Sequence, residues 1–292
     1  MKILVIGSCN VDITNYVSSF PMPGETINGL GKRVSPGGKG LNQAIALKRA
    51  GADVTFIGAI GMDLEANIIK ETIDKDCLNS YLLEKNCNTG SATILVNESS
   101  ENMIVLDHGA NYKINKEDLE NISPYLEEAD FILLEAELSK EITKQIIDAS
   151  FLLNKKCIFN PAPAYLLDEE ILSKVDYLIP NEKELLLCSG CHSQEEAVNY
   201  LLSKGVKHLL VTLGEKGSTL FSLKEEIHVP AFKVKAVDTV AAGDTFIGYF
   251  LALLASGNNE ETSLKIASKA SAIAVTRKGA IDSIPFKKEV VC

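Results

Sequence analysis

Lys2-Ile3-Leu4-Val5-Ile6-Gly7-Ser8-Cys9-Asn10-Val11-Asp12 opens the chain, and its first half decides how the rest is read. The apolar run stops at Gly7. It is too short for the core of a secretory leader and reads as a first β-strand, Lys2–Ile6. Strand candidates recur at 54–58, 130–134, 157–160, 177–179 and 208–213. Between and after them lie helical patterns at 40–50, 65–73, 139–152, 182–187, 194–203, 244–254 and 262–274. This alternation predicts a three-layer, Rossmann-like α/β core whose central sheet is mainly parallel, with helices on both faces.

Two segments break the alternation. Residues 10–35 hold Pro21, Pro23, Gly24, Gly29 and Gly31 between short β-prone pieces. Residues 89–107 read as a hairpin, 92–96 and 103–106 around a polar turn at 97–102. Neither segment is long enough to fold alone. They are expected to pair into a small β-sheet that lies as a lid beside the core, formed by about residues 10–36 and 89–108. The 292 residues then make a single domain, 1–292, with this appendage.

Composition removes other classes. The formal net charge of -10, with no dense Lys/Arg run, argues against a nucleic-acid partner. No apolar stretch has the length to span a bilayer. Seven scattered cysteines, an odd number, read as reduced thiols in a cytoplasmic chain.

Three segments carry candidate chemistry. In Val237-Asp238-Thr239-Val240-Ala241-Ala242-Gly243-Asp244-Thr245-Phe246, small residues precede a helix start. Amides there lack helical partners and can face an anion, and Ala241, Ala242 and Gly243 let a phosphate approach the main chain. Asp244 then stands where a base could take a hydroxyl proton. The same segment reads equally as an ordinary Asp in a first helical turn, favoured by the helix dipole. Pro36-Gly37-Gly38-Lys39-Gly40-Leu41-Asn42 also opens a helix, but lacks the spacing and the Ser/Thr of a Walker A loop. Its glycines suit a polyhydroxylated ligand; taken alone they read as a capped turn. Asn10 and Asp12 alternate with apolar neighbours, so both point to one side and can fork onto vicinal hydroxyls, or simply mark a polar strand end.

Together these segments resemble the signatures of the ribokinase-like sugar kinase family, and the resemblance runs through nearly the whole chain. Further blocks match in family order: Ser19-Phe20-Pro21-Met22-Pro23-Gly24-Glu25-Thr26, Gly109-Ala110-Asn111, Asn160-Pro161-Ala162-Pro163-Ala164, Pro180-Asn181-Glu182, Thr212-Leu213-Gly214 and Ala274-Val275-Thr276-Arg277-Lys278-Gly279-Ala280. The resemblance implies ATP-dependent phosphorylation of a primary hydroxyl of a small sugar, ribose first among the candidates. Deoxyribose, a ketose or a nucleoside is the alternative, and a non-catalytic sugar sensor the rival from another class.

The resemblance further implies Asp244 as catalytic base and an anion hole at Ala241, Ala242 and Gly243. It implies a sugar site of Asn10, Asp12, Gly38, Lys39, Asn42 and Glu137, with Glu135 competing with Glu137. Thr212 and Gly214 match nucleotide-phosphate contacts, and the adenine is expected over Ala274 and the helix before it. Asn181 and Glu184 match a pair that helps hold Mg²⁺ through water, although Asn181 also reads as a helix cap with Glu184 at its third position. Asp238, Val240, Ala274, Arg277, Gly279 and Ser283 match a K⁺ site built largely from main-chain carbonyls. Relatives often cover the lid by pairing it, so a homodimer is expected.

Two features stand apart. Asp63 is followed by Leu64, Glu65 and Ala66, where the family usually places Gly third, which tightens the helix entry there. Cys188-Ser189-Gly190-Cys191-His192 spells a haem-attachment pattern, but it falls at a helix end in a chain that reads as cytosolic and is taken as chance.

Overall fold

The computed structural model describes residues 1–99 and 101–291. The elements in chain order are β1 (Lys2–Ile6), β2 (Asn10–Val17), β3 (Gly29–Gly37), α1 (Lys39–Arg49), β4 (Asp53–Ile60), α2 (Glu65–Lys75), β5 (Asn79–Glu84), β6 (Gly90–Val96), β7 (Asn102–Asp107) and α3 (Lys116–Glu128). They continue with β8 (Phe131–Glu135), α4 (Lys140–Leu152), β9 (Lys156–Asn160), α5 (Glu169–Leu172), β10 (Tyr177–Leu178), α6 (Glu182–Ser189), α7 (Gln194–Ser203) and β11 (His208–Thr212). The chain closes with β12 (Ser218–Ser222), β13 (Glu226–Val229), α8 (Ala242–Ala255), α9 (Glu260–Ala274) and α10 (Lys287–Val290).

Among the described residues, nine strands form the main sheet in the order β13-β12-β11-β10-β9-β8-β1-β4-β5. The pairs from β11 to β5 are parallel; β12 and β13 add an antiparallel edge. β1 shows why the layers form. Ile3 and Val5 enter one hydrophobic cluster, with α1, α2, α8 and α9, while Leu4 and Ile6 enter another, with α3, α4, α6 and α7. Alternation along a strand thus serves two apolar layers. From β1 the chain passes to β4 and β5 on one side, and later to β8 and β9 on the other. The order reverses between β1 and β8, which opens a crevice at their C-terminal ends.

A second sheet of four strands, β3-β2-β6-β7, forms the lid. Its centre is the parallel pair β2–β6, flanked by antiparallel β3 and β7. The chain enters this sheet twice: after β1, returning into α1, and after β5, returning towards α3.

The predicted strands and helices are all present, most with ends moved by one to three residues. α3, α5, α10, β5, β12 and β13 are additional. Pro124 inside α3 interrupts its helical pattern, yet an Asn115–Asp118 capping box fixes its start. β5 is an edge strand with polar exposed positions, so its alternation is weak. The expected turn at 97–102 includes Ser100, which lies outside the described residues; Glu101 N donates to Asn97 Oδ1 across it at 2.9 Å.

Candidate active site

α8 is apolar on nearly all sides because it is packed between α1 and α9. A Cβ on Gly248 would overlap the Cβ of Ala46 in α1, so glycine here lets the two helices touch. One turn earlier on each helix, that approach brings Asn42 and Gln43 against Asp244. Asn42 Nδ2 donates to Asp244 Oδ2 at 3.0 Å, and Gln43 Nε2 donates to Asp244 Oδ1 at 2.9 Å. All three residues are buried. Gln43 was not singled out in the sequence, because a glutamine beside a motif residue reads as an ordinary helical position.

The segment before α8 turns through Ala241, which takes a left-handed conformation (φ 57°) and offers no side-chain cap. The amides of Gly243 and Asp244 have no acceptor among the described residues, and a Cβ on Gly243 would meet nothing within 4 Å. Bare amides at a helix N-terminus are able to bind an anion. Ala242 contributes its carbonyl to a hydrogen bond from Ser271 Oγ, at 2.9 Å, which anchors the turn to α9.

At the crevice between β1 and β8, Glu137 Oε2 accepts from Ser8 Oγ (2.5 Å), Lys39 N (3.2 Å) and Asn10 Nδ2 (3.3 Å). Glu135 is fully buried and accepts from the amides of Ser8 (2.6 Å) and Glu137 (2.5 Å). It therefore braces the loop that presents Glu137, and the two carboxylates divide the work by position. Asn111 Nδ2 donates to Asn10 Oδ1 at 2.7 Å and so orients that amide. Gly38 adopts φ 90°, with its Cα packed against the backbone of Cys9 and Asn10.

The charges of this cluster influence one another. Burial, then the charge of Glu137, pushes Asp12 up to about 7; Lys39 opposes this and Asp244 adds to it. Burial and Glu137 also raise Glu135. Burial pulls the Lys39 ammonium down, but Asp244, Glu137, Glu135 and Glu184 together raise it above the ordinary lysine value. Burial raises Glu184, with Lys39 opposing. Glu184 in α6 thus lies within electrostatic reach of Lys39 and Asp244.

Asn181 caps α6 and pairs with Thr212 at the ends of β10 and β11. Asn181 Oδ1 accepts from Lys183 N and Glu184 N, both at 2.9 Å, while Asn181 N donates to Glu184 Oε2 at 2.8 Å. The capping reading is therefore realised, with Glu184 Oε2 engaged in the cap. Gly214 follows β11 at φ 57°, with open space where a Cβ would stand.

Asp238 is joined to two of its expected companions: Oδ1 accepts from Val240 N (3.0 Å) and Oδ2 from Gly279 N (2.9 Å). Ala274 O accepts from Arg277 N at 3.0 Å, and the Arg277 guanidinium pairs with Glu289 at 2.6 Å. Ser283 is buried and donates to Ala280 O at 2.7 Å. Two loops, 237–241 and 275–283, thus lie side by side, tied by Val237 N and Asp238 N donating to Val275 O. The oxygens on these loops, main-chain carbonyls and the Asp238 carboxylate, are of the chemical type that hard cations take.

A buried carboxylate held by two carboxamides, unpaired amides at a helix start beside it and a polar cluster at the switch point are the kinds of part that phosphoryl transfer on an α/β scaffold uses. The chain belongs to the pfkB family of carbohydrate kinases, whose family model matches residues 1–287. It is 37% identical over 298 residues to a ribokinase of Staphylococcus aureus, covering 99% of this chain and 98% of that one. It is 34% identical over 293 residues to a deoxyribokinase of Salmonella typhi, covering 98% and 96%. The crystal structure of a ribokinase from Thermotoga maritima superposes with a TM-score of 0.92 at 39% identity, covering 99% and 97%. The fold and these relatives make the chain an ATP-dependent phosphotransferase of the ribokinase family acting on a sugar or nucleoside.

Proposed function

We propose that the chain transfers the γ-phosphoryl group of ATP to the primary hydroxyl of D-ribose, giving D-ribose 5-phosphate and ADP. The observation that carries this reading is the convergence of Asn10, Asp12, Lys39, Asn42 and Glu137 beside Asp244. Such a set of donors and acceptors suits a furanose with vicinal hydroxyls.

In this reading Asp244 takes the proton of the attacking hydroxyl, while the anion hole at Ala241, Ala242 and Gly243, extended by the amide of Asp244, receives charge from the transferred group. Gly38, Lys39 and Asn42 orient the sugar. Thr212 and Gly214 meet the nucleotide phosphates, and Ala274 lies under the adenine. Asn181 and Glu184 would hold Mg²⁺ through water; Asp238, Val240, Ala274, Arg277, Gly279 and Ser283 would hold K⁺. When bound, these ions supply charge neutralisation at the phosphates and at the anion-hole loop. The chain works as one cytoplasmic kinase domain, its lid formed by about residues 10–36 and 89–108, and pairs through that lid into a homodimer. Free thiols at Cys9, Cys157 and Cys188 support a reducing compartment.

A second reading, 2-deoxyribose as substrate, is favoured by the likeness to the Salmonella protein. ADP release should be followed with ribose, 2-deoxyribose, fructose and adenosine. The ribose assignment expects kcat/KM for ribose above that for 2-deoxyribose by roughly tenfold or more, since a site built to pair a hydroxyl penalises its loss. Preference for 2-deoxyribose or adenosine overturns it, and sugar binding without ADP release with any of the four would mark a sensor.

A further inference from the structure

Gln43 does more than fill the interface between α1 and α8. It is completely buried, and its Nε2 donates not only to Asp244 Oδ1 but also to Asn160 Oδ1, at 3.1 Å. Asn160 ends β9, and its Nδ2 donates to the main-chain oxygen of Ile179 at 2.8 Å. A chain of hydrogen bonds therefore runs from a backbone carbonyl, through two carboxamides, to the carboxylate.

The direction of every link follows from the first. A main-chain carbonyl can only accept, so Asn160 turns its NH₂ to Ile179 and its oxygen to Gln43. Gln43 must then offer its NH₂ to Asn160, and the second hydrogen of that group meets Asp244. Reversing the Gln43 amide would set its oxygen against two acceptors. The observed orientation persists although it leaves Gln43 Oε1 buried without a protein partner. Asn42, the preceding residue, holds the other carboxylate oxygen. Two consecutive residues of α1 thus hold the carboxylate at both oxygens.

We infer that Gln43, backed by Asn160, is a positioning residue that fixes the Asp244 carboxylate towards the acceptor hydroxyl. The inference rests on the reading of Asp244 as the base. An amide that served the core alone would be replaceable by an apolar side chain of the same length with no effect on turnover.

The test compares Gln43→Met, Asn160→Leu and the double variant with the wild type, in ADP release at saturating and limiting ribose. Gln43→Met should lower kcat by about 10–100-fold, as expected for a misplaced reacting group, while the KM for ribose and ATP change less than about threefold. The double variant should be no slower than Gln43→Met, because both residues act through one chain. In an Asp244→Asn background, Gln43→Met should cause no further loss. A Gln43→Met enzyme within about twofold of wild-type kcat, or multiplicative losses in the double variant, would overturn the inference. Should Gln43→Met lose its circular dichroism, Asn160→Leu alone decides: a kcat loss at constant KM supports the chain, and unchanged kcat removes it. A wild type that releases no ADP with any sugar defeats the base assignment itself, which separates that failure from a failure of Gln43.

Discussion

Asp244 and Asp12 carry the same functional group in opposite settings. Asp244 accepts two amide hydrogen bonds in the first turn of α8, whereas Asp12 is half-buried near Glu137 and Lys39. Asp244→Asn should lower kcat by roughly 10²–10⁴-fold, the usual contribution of a general base. ATP affinity measured by calorimetry should stay within about twofold of wild type, since Asp244 is assigned to the acceptor hydroxyl and not to the nucleotide. Asp12 responds to pH. Its folded value near 7 exceeds the ordinary carboxylate value, so between those limits the folded protein holds a proton that the unfolded chain has lost. This group's contribution to stability therefore falls as pH rises through that window. Melting curves of Asp12→Asn should gain on wild type as pH climbs to about 7, then keep a constant offset above it. An offset flat from pH 4 to 8 would count against the assignment. The motif residues Lys39, Asn42 and Asp244 were legible in the sequence because each lies in an ordered signature. Gln43 was not legible, and Asn160 and the left-handed turn at Ala241 only in part, since their roles come from contacts between residues 117 or 201 positions apart and from one backbone angle.

At the scale of elements, the lid was readable as two β-prone excursions because turn residues bracket them. That they pair was expected; the parallel direction and register of β2 against β6 were not, because they join segments distant in the chain and no local pattern encodes them. The antiparallel edge of β12 and β13 escaped for a related reason, as short strands with mixed polarity resemble loops. On β7, Ile104 and Val105 are 58% and 71% exposed although successive residues point to opposite faces. Both faces of this edge strand therefore carry exposed apolar side chains, the observation on which the proposed lid pairing rests. If the lid pairs as proposed, Val105→Glu should weaken that dimer at least about tenfold in Kd, because an unpaired charge is costly to bury. Sedimentation velocity over a concentration series would show this; an unchanged self-association, or a wild type monomeric throughout, would remove the lid from the interface.

Over the whole molecule, one buried ion pair links three distant parts. Arg49, at the end of α1, forks onto both oxygens of Asp76 at 2.7 and 2.9 Å and donates to the carbonyls of Ile281 and Ile284. Arg49→Met leaves Asp76 buried and the Ile284 carbonyl without its donor, while Ile281 O keeps the bond from Ile284 N, and should cost about 3–5 kcal/mol in urea unfolding; a loss below about 1 kcal/mol would show that the clamp is dispensable. The three layers themselves followed from alternating strand and helix patterns, since each β1 residue serves one apolar layer or the other. The path of the chain through the lid has a practical corollary. Because residues leave the core after β1 and again after β5, with returns into α1 and towards α3, the covering sheet is woven in by four joints. It is not a cassette. Anyone hoping to transplant it from a homologue to alter substrate choice must splice two separate segments at once, and a single-segment graft would leave β2 and β6 mismatched along the seam that holds the flap together.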